Sequence, residues 1–208
     1  MLPPGVESIG PHVSKQFTAL FRSEHHGRIS IPEARANDPV ALWKLLVSFS
    51  LLAYSQANHY DRFRVSAASP AFDGHGVFKI LSGANYRPSP LQTTRVCAER
   101  AMLDSAQEDD LVGGLVIVRG PEIMKPINGC REMKSLHSCE SCRPELATIS
   151  PDITVVTMRR TDSTAIEAFT VQQLIDYHDG GGEYPLMPAG KSAEEVAIDA
   201  LSQYVYHP

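Results

Sequence analysis

Residues 113–120, GGLVIVRG, are an unbroken apolar run of strand length set between glycines. A strand with one wet face alternates apolar and polar residues; an unbroken run fits a strand covered on both faces. Such a strand needs a sheet with cover on each side, and the rest of the chain offers the pieces. DITVVTMRR (152–160) reads as a further strand. RFRVSAASPAF (62–72) and VFKILSGA (77–84) read as a hairpin, because the DGHG between them is a turn-forming cluster.

Helical signals lie between these strands. From Val40 to Asn58 the apolar positions Leu42, Leu45, Leu46, Phe49 and Leu52 recur at helical spacing, and Asp38-Pro39 makes a start. A second helix opens near Cys97, with Thr93 or Thr94 as its cap, and runs to about Gln107. STAIEAFTVQQLIDYHD (163–179) reads as a short strand running into a helix that GGGE ends. In SAEEVAIDALSQYV (192–205), Ser192 and Glu195 have the spacing of a capping box. The alternation predicts a three-layer α/β/α sandwich around a mixed central sheet. Three parts are expected: an N-terminal arm over 1–38 with a short helix near 14–21, a catalytic domain over 39–179, and a linker with a C-terminal helix over 180–208.

At 208 residues and 43% hydrophobic content, the chain can bury a substantial core. Its formal charge of −5 argues against a protein built for duplex nucleic acid. With no aromatic–basic stripe, a single-strand editor is disfavoured as well. MLPPGVESIG lacks the basic and apolar regions of a secretory signal, which predicts a cytoplasmic protein. The longest apolar run, ALWKLLVSFSLLAY, has about 14 residues and carries Lys44, short of the roughly 20 needed to span a bilayer. Without export, the four cysteines are expected to be reduced, reactive or metal-bound.

Three of them form a pattern. Cys97 begins Cys-Ala-Glu, and Cys139 and Cys142 are spaced Cys-x-x-Cys. Zinc favours thiolate ligands, and a catalytic site keeps three protein ligands and one open position. A C-x-E followed by C-x-x-C is the three-cysteine form of the zinc deaminase signature. Each block lies near an expected helix start, where free N–H groups favour thiolates. Glu99 would stand beside the metal and move protons. Arg100, three residues after Cys97 on the same helical face, would temper the excess thiolate charge, with Arg143 as a second donor. A closed structural zinc site remains open on the spacing alone, with Cys130, His137 or His75 as fourth ligand, as does a redox or free-thiol role.

FRVSAA, SGANYRP, VCAERAM and SCESCRPEL follow one another as corresponding blocks do in the cytidine deaminase superfamily. The chain resembles its three-cysteine members, the small tetrameric cytidine deaminases and the blasticidin S deaminases, over about residues 40–178. The resemblance implies a cytidine deaminase-like fold, zinc on Cys97, Cys139 and Cys142, and Glu99 as proton shuttle. It also implies base contacts from the Ala98 backbone, sugar contact from Asn85, a pocket wall at Phe63, and a homo-oligomer, commonly a tetramer. The expected activity is deamination of a cytosine nucleoside, nucleotide or modified nucleoside. Alternatives are deamination of a purine- or pterin-type ring, and a non-catalytic zinc scaffold.

The departures bear on the substrate. Where the family has a sugar-binding glutamate, this chain has Arg87, which cannot accept hydrogen bonds and suits a phosphate or carboxylate instead. Ser138 replaces a proline and could cap a helix. Pro144 would break a helix begun at Ser138 unless the first turn starts at Arg143. The segment 121–136 is longer than in the small deaminases and could form a lid.

Overall fold

The computed structural model describes residues 26–56, 64–73, 75–88, 95–120, 137–159 and 164–204. The expected helix at 14–21, Phe63, Thr93, Thr94, Cys130 and the segment 121–136 lie outside the described residues. The GGLVIVRG run becomes β5 (Leu115–Arg119), pairing in parallel with β6 (Thr154–Met158) and antiparallel with β2 (Ser66–Phe72). Around them lie β1 (His26–Ser30), β3 (Phe78–Ala84) and β7 (Ala165–Thr170), giving a mixed sheet in the order β1–β3–β2–β5–β6–β7. A two-residue β4 (Leu111–Val112) pairs with β2 off this path.

Both faces of the sheet are covered, and the side chains of β5 show how. Leu115 and Ile117 pack into one apolar cluster with α2 (Pro39–Gln56) and α6 (Ala193–Gln203). Val116 and Val118 join a second cluster on the other face, with α3 (Ala98–Leu103), α4 (Cys142–Ile149) and α5 (Val171–His178). This is the expected three-layer α/β/α arrangement, and it explains why the strand is apolar from Leu115 to Val118. Arg119, at the end of β5, is fully buried; it donates to the Ser50 hydroxyl at 3.1 Å and the Arg159 carbonyl at 2.7 Å, knitting the sheet to α2.

Local signals act as their chemistry predicts at several points. Asp73 Oδ1 accepts from the His75 and Val77 amides at 3.0 and 2.9 Å, and Gly76 takes φ +78°, which closes the β2–β3 hairpin. Thr170 and Gln173 make a capping box on α5, and Ser192 with Glu195 makes the expected one on α6. Trp43 Nε1 donates to Glu194 at 3.1 Å and ties α6 to α2.

Other elements differ from the sequence reading. β1 and a four-residue α1 (Glu33–Ala36) fall where only an arm was expected. The strand HGRIS mixes polar and apolar residues without a clean alternation, because β1 is an edge strand held mainly by its backbone pairing with β3. The first metal-block helix is short, ends at Leu103, and has Cys97 itself at its N-cap. Val96 is held extended by two backbone hydrogen bonds to Tyr86, so helical backbone cannot begin earlier. The second helix starts at Cys142, not Ser138, and Pro144 falls in its first turn, where its missing N–H costs no bond.

A tight backbone-to-backbone joint lies between β3 and α3. A Cβ on Gly83 would stand 2.2 Å from the Met102 amide nitrogen and 2.5 Å from the Ala98 carbonyl oxygen. Only a residue without a side chain lets this helix lie against the strand. Gly83→Ala is therefore expected to lower unfolding stability by about 1–3 kcal/mol, or to prevent folding, as overpacking does. Gly76→Asn, at an open turn position with a left-handed φ, should cost under about 1 kcal/mol. Urea unfolding of both variants checks the contrast.

Candidate metal centre and its cavity

Cys97 enters the site from the end of an extended segment, with ψ 156°, just before α3 begins. Cys139 and Cys142 come from the turn that opens α4, where the Cys142 and Arg143 amides donate to the Cys139 carbonyl at 2.9 and 3.0 Å. The two turns meet. Cys97 Sγ lies 3.3 Å from Cys139 Sγ, which lies 3.5 Å from Cys142 Sγ, and all three sulfurs fall within 4.8 Å of one another. Zinc–thiolate bonds of about 2.3 Å in a tetrahedron set sulfurs about 3.8 Å apart, so the two sulfur pairs at 3.3 and 3.5 Å lie about half an ångström or less inside that spacing. The three cysteines could hold a metal ion.

The sulfurs are not equivalent. Hydrogen bonds from Cys142 and Cys97, joined by the Cys142 and Ser141 amides, hold the Cys139 thiol well below its ordinary range. Sharing a proton with Cys139 pushes Cys97 up to about 12. Glu99, 4% exposed in the first turn of α3, lies in the same cavity. Burial pushes its carboxyl up to about 7; its own amide and the Ser138 hydroxyl resist the rise, and the Cys139 charge adds to it.

The cavity holding these groups has a volume of about 160 Å³. Cys97, Cys139 and Glu99 form one side, while Val65, Val118 and His137 form apolar and aromatic wall. An engineered cavity of about 150 Å³ binds benzene, so the space fits one six-membered ring. A larger open groove of about 810 Å³, lined by Phe72, Leu111, Ile149 and Tyr204 among others, contains none of the three cysteines. Its size gives it no claim to the chemistry.

Of the expected binding residues, Asn85 and Ala98 line the cavity. Asn85 Oδ1 also accepts from the Val65 amide at 2.7 Å, fixing the wall residue beside it. Arg87 is half-buried and is not part of the cavity lining.

Two expectations about arginine change. Arg100 points away from the thiolates to the outer face, where it pairs with Asp104 at 3.2 Å and with Glu145. Arg143 is buried and also donates elsewhere: to the Ser138 carbonyl at 2.8 Å and to Asp179 at 3.0 and 2.5 Å. It holds the metal turn in place instead of touching the sulfurs. The Arg143 guanidinium in turn keeps the Asp179 carboxyl below the usual carboxylate range.

Neither histidine considered as a fourth ligand joins the cysteine cluster, and Cys130 lies outside the described residues. His137 uses both ring nitrogens, Nδ1 to His178 Nε2 at 3.0 Å and Nε2 to Glu167 at 3.2 Å. Tyr184 donates to the other oxygen of Glu167 at 2.6 Å. His75 sits in the β2–β3 turn and is no member of the cluster. Among the described residues, the group is the three cysteines, with no fourth His, Cys, Asp or Glu.

The support from Glu167, His178, Asp179 and Tyr184 went unread in the sequence. These residues lie between 25 and 45 positions after the metal turn, and nothing in their local pattern marks them as partners of it.

No protein-family model matches the chain, and no curated protein matches it. Among solved structures it is similar to the cytidine deaminase from Burkholderia pseudomallei. The identity is 22% over 62% of this chain and 93% of that one, with a TM-score of 0.45.

Arg143→Met is expected to weaken zinc binding by about 10–100-fold, the range for lost support around a metal site. Arg100→Ala, on an exposed ion pair, should shift it by less than about fivefold. Competition against a chromogenic chelator measures both, and equal losses would return Arg100 to the metal's electrostatics.

Proposed function

We propose that the chain is a zinc-dependent hydrolase that removes the exocyclic amine of a cytosine-like ring and releases ammonia. The observation that carries this reading is the convergence of the Cys97, Cys139 and Cys142 sulfurs beside buried Glu99 in one ring-sized cavity. Three soft sulfur ligands suit zinc, and a three-residue set leaves a coordination position for reactants. Bound there, zinc would supply the Lewis acidity that makes water a nucleophile near neutral pH.

The chain's own residues would do the rest. Val65, Val118 and the aromatic edge of His137 exclude water around a flat ring. The Ala98 backbone and Asn85 orient that ring and what it carries. Glu99 takes a proton from the attacking water and delivers it to the ring nitrogen; a second transfer puts the other water proton on the departing amine. One carbon–oxygen bond forms, one carbon–nitrogen bond breaks, and the products are the carbonyl ring and ammonia. A carboxyl raised to about 7 by burial is suited to moving protons in both directions.

A bicyclic purine or pterin fits a one-ring cavity less well than a pyrimidine does. A purely structural zinc site would have no use for a buried carboxyl beside three ligands, since burying Glu99 without a task costs stability.

Purified protein is expected to carry one zinc per chain and to release ammonia from cytosine nucleosides or nucleotides. Glu99→Gln should keep the zinc and lose about 10²–10⁴-fold in kcat, the size of a general acid–base contribution. Zinc-loaded protein that is silent on pyrimidines but turns over a bicyclic ring would overturn the pyrimidine assignment. Equal turnover by Glu99→Gln would remove Glu99 from the chemistry.

A further inference from the structure

We infer that Ser138 is a positioning residue for Glu99: its hydroxyl donates to one carboxylate oxygen and leaves the other to carry the proton. The inference deepens the deaminase reading and rests on it for the reaction in which that proton moves.

Ser138 is expected from the sequence to cap a helix, but α4 opens only at Cys142, with Ser141 at its N-cap. Ser138 is fully buried, and among the described residues no hydrogen bond satisfies its side-chain oxygen. A buried hydroxyl left unbonded costs its whole desolvation, and native interiors rarely carry one. The backbone around it is pinned. Arg143 donates to the Ser138 carbonyl at 2.8 Å, and the preceding His137 is held by His178 and Glu167 through both ring nitrogens.

The surroundings name the partner. His137 and Cys139, on either side of Ser138, both line the cavity, and Glu99 lines it too. Ser138 itself is not in the wall, so its hydroxyl serves a protein group and not the ring. Glu99 is that group. Burial pushes the Glu99 carboxyl up to about 7, and two donors act against the rise, its own amide and the Ser138 hydroxyl. The amide belongs to α3 and the hydroxyl to the turn of Cys139, so the carboxyl is held between the two halves of the site. Hydrogen bonds to an ionised oxygen are short and strong, and an oxygen already accepting from serine is a poor seat for a second proton. The other oxygen, turned to the cavity, takes the proton from water and gives it up to the ring nitrogen. Without the hydroxyl the carboxyl can rotate about its last bond, and an oxygen aimed at the reacting water becomes a rarer arrangement. Ring binding stays the same, because Ser138 is outside the cavity wall.

The experiment compares zinc-loaded wild type, Ser138→Ala, Glu99→Gln and the double variant on cytidine and cytidine 5′-monophosphate. Ser138→Ala is expected to lower kcat by about 10–100-fold, the size of lost orientation at a reacting centre, with KM within about threefold of wild type. In the Glu99→Gln background, where no proton can be carried, the same change should alter kcat by less than about twofold. An infrared readout needs no turnover. At alkaline pH the wild-type minus Glu99→Gln spectrum isolates the Glu99 carboxylate band, and the Ser138→Ala minus double-variant spectrum isolates it without the hydroxyl. The band is expected at different frequencies in the two. A band that stays in place overturns the inference whatever the kinetics do. So does an equal kcat loss in both backgrounds, or a loss carried by KM alone. If wild type deaminates neither compound, the deaminase reading fails separately; a shifted band then still supports Ser138 as the partner of Glu99, and an unshifted band overturns it.

Discussion

The site depends first on a contact between two backbones. At Gly83 the strand β3 and the first turns of α3 approach so closely that not even a methyl group fits between them. That closeness fixes the height and direction of α3 relative to the sheet. Cys97 at its N-cap, and Ala98 and Glu99 within its first turn, are delivered to the cavity by that one placement. A six-residue helix has little stability of its own. Its orientation is supplied by the packed surface beneath it, where Ala98, Ala101 and Met102 are buried. Small residues at this joint thus serve position more than bulk burial.

The second half of the candidate metal centre is held differently. The turn carrying Cys139 and Cys142 is fastened at both ends to β7 and to the last residues of α5. His137 anchors the start through Glu167 and His178, and Arg143 anchors the end through Asp179 and the Ser138 carbonyl. Tyr184 packs against His137 and holds Glu167 from outside. The aromatic rings of Phe169, Tyr177 and Tyr184 close round the pair of histidines at centroid separations of 4.8–6.0 Å. The sequence after the metal turn is therefore structural support for it, and the geometry of the sulfurs depends on side chains that never touch them.

This division explains what could be read in advance. The layers of the fold were legible because burial on two faces forces an unbroken apolar strand, and because capping boxes and a helical apolar stripe have fixed spacing. The cysteines and Glu99 were legible because metal chemistry restricts residue type and separation along the chain. β1 was not, since an edge strand is defined by a neighbour's open hydrogen bonds more than by its own side chains. Asp179 and Glu167 were not, since a salt bridge across 36 residues or a hydrogen bond across 30 leaves no local trace. Arg100, paired with Asp104 and Glu145, shows the limit of helical spacing: the spacing does not say which of several acceptors a side chain chooses.

That choice bears on how excess thiolate charge is met. Neither arginine donates to sulfur, yet Cys139 is held strongly in its charged form. The hydrogen bonds that do this come first from the Cys142 and Cys97 thiols, and the amides of Ser141 and Cys142 at the opening of α4 add to them. Eight residues of helix point their positive end at this turn. Charge compensation by amides differs in kind from compensation by a guanidinium. Amides cannot swing away or exchange partners, and they act only while the helix start keeps its geometry. Arg143 keeps it, by binding the Ser138 carbonyl just before the turn and Asp179 beyond it. The arginine after the second cysteine of the pair thus affects the sulfurs through the backbone it holds, which is why its side chain can be buried among oxygens and still matter to the cysteine cluster.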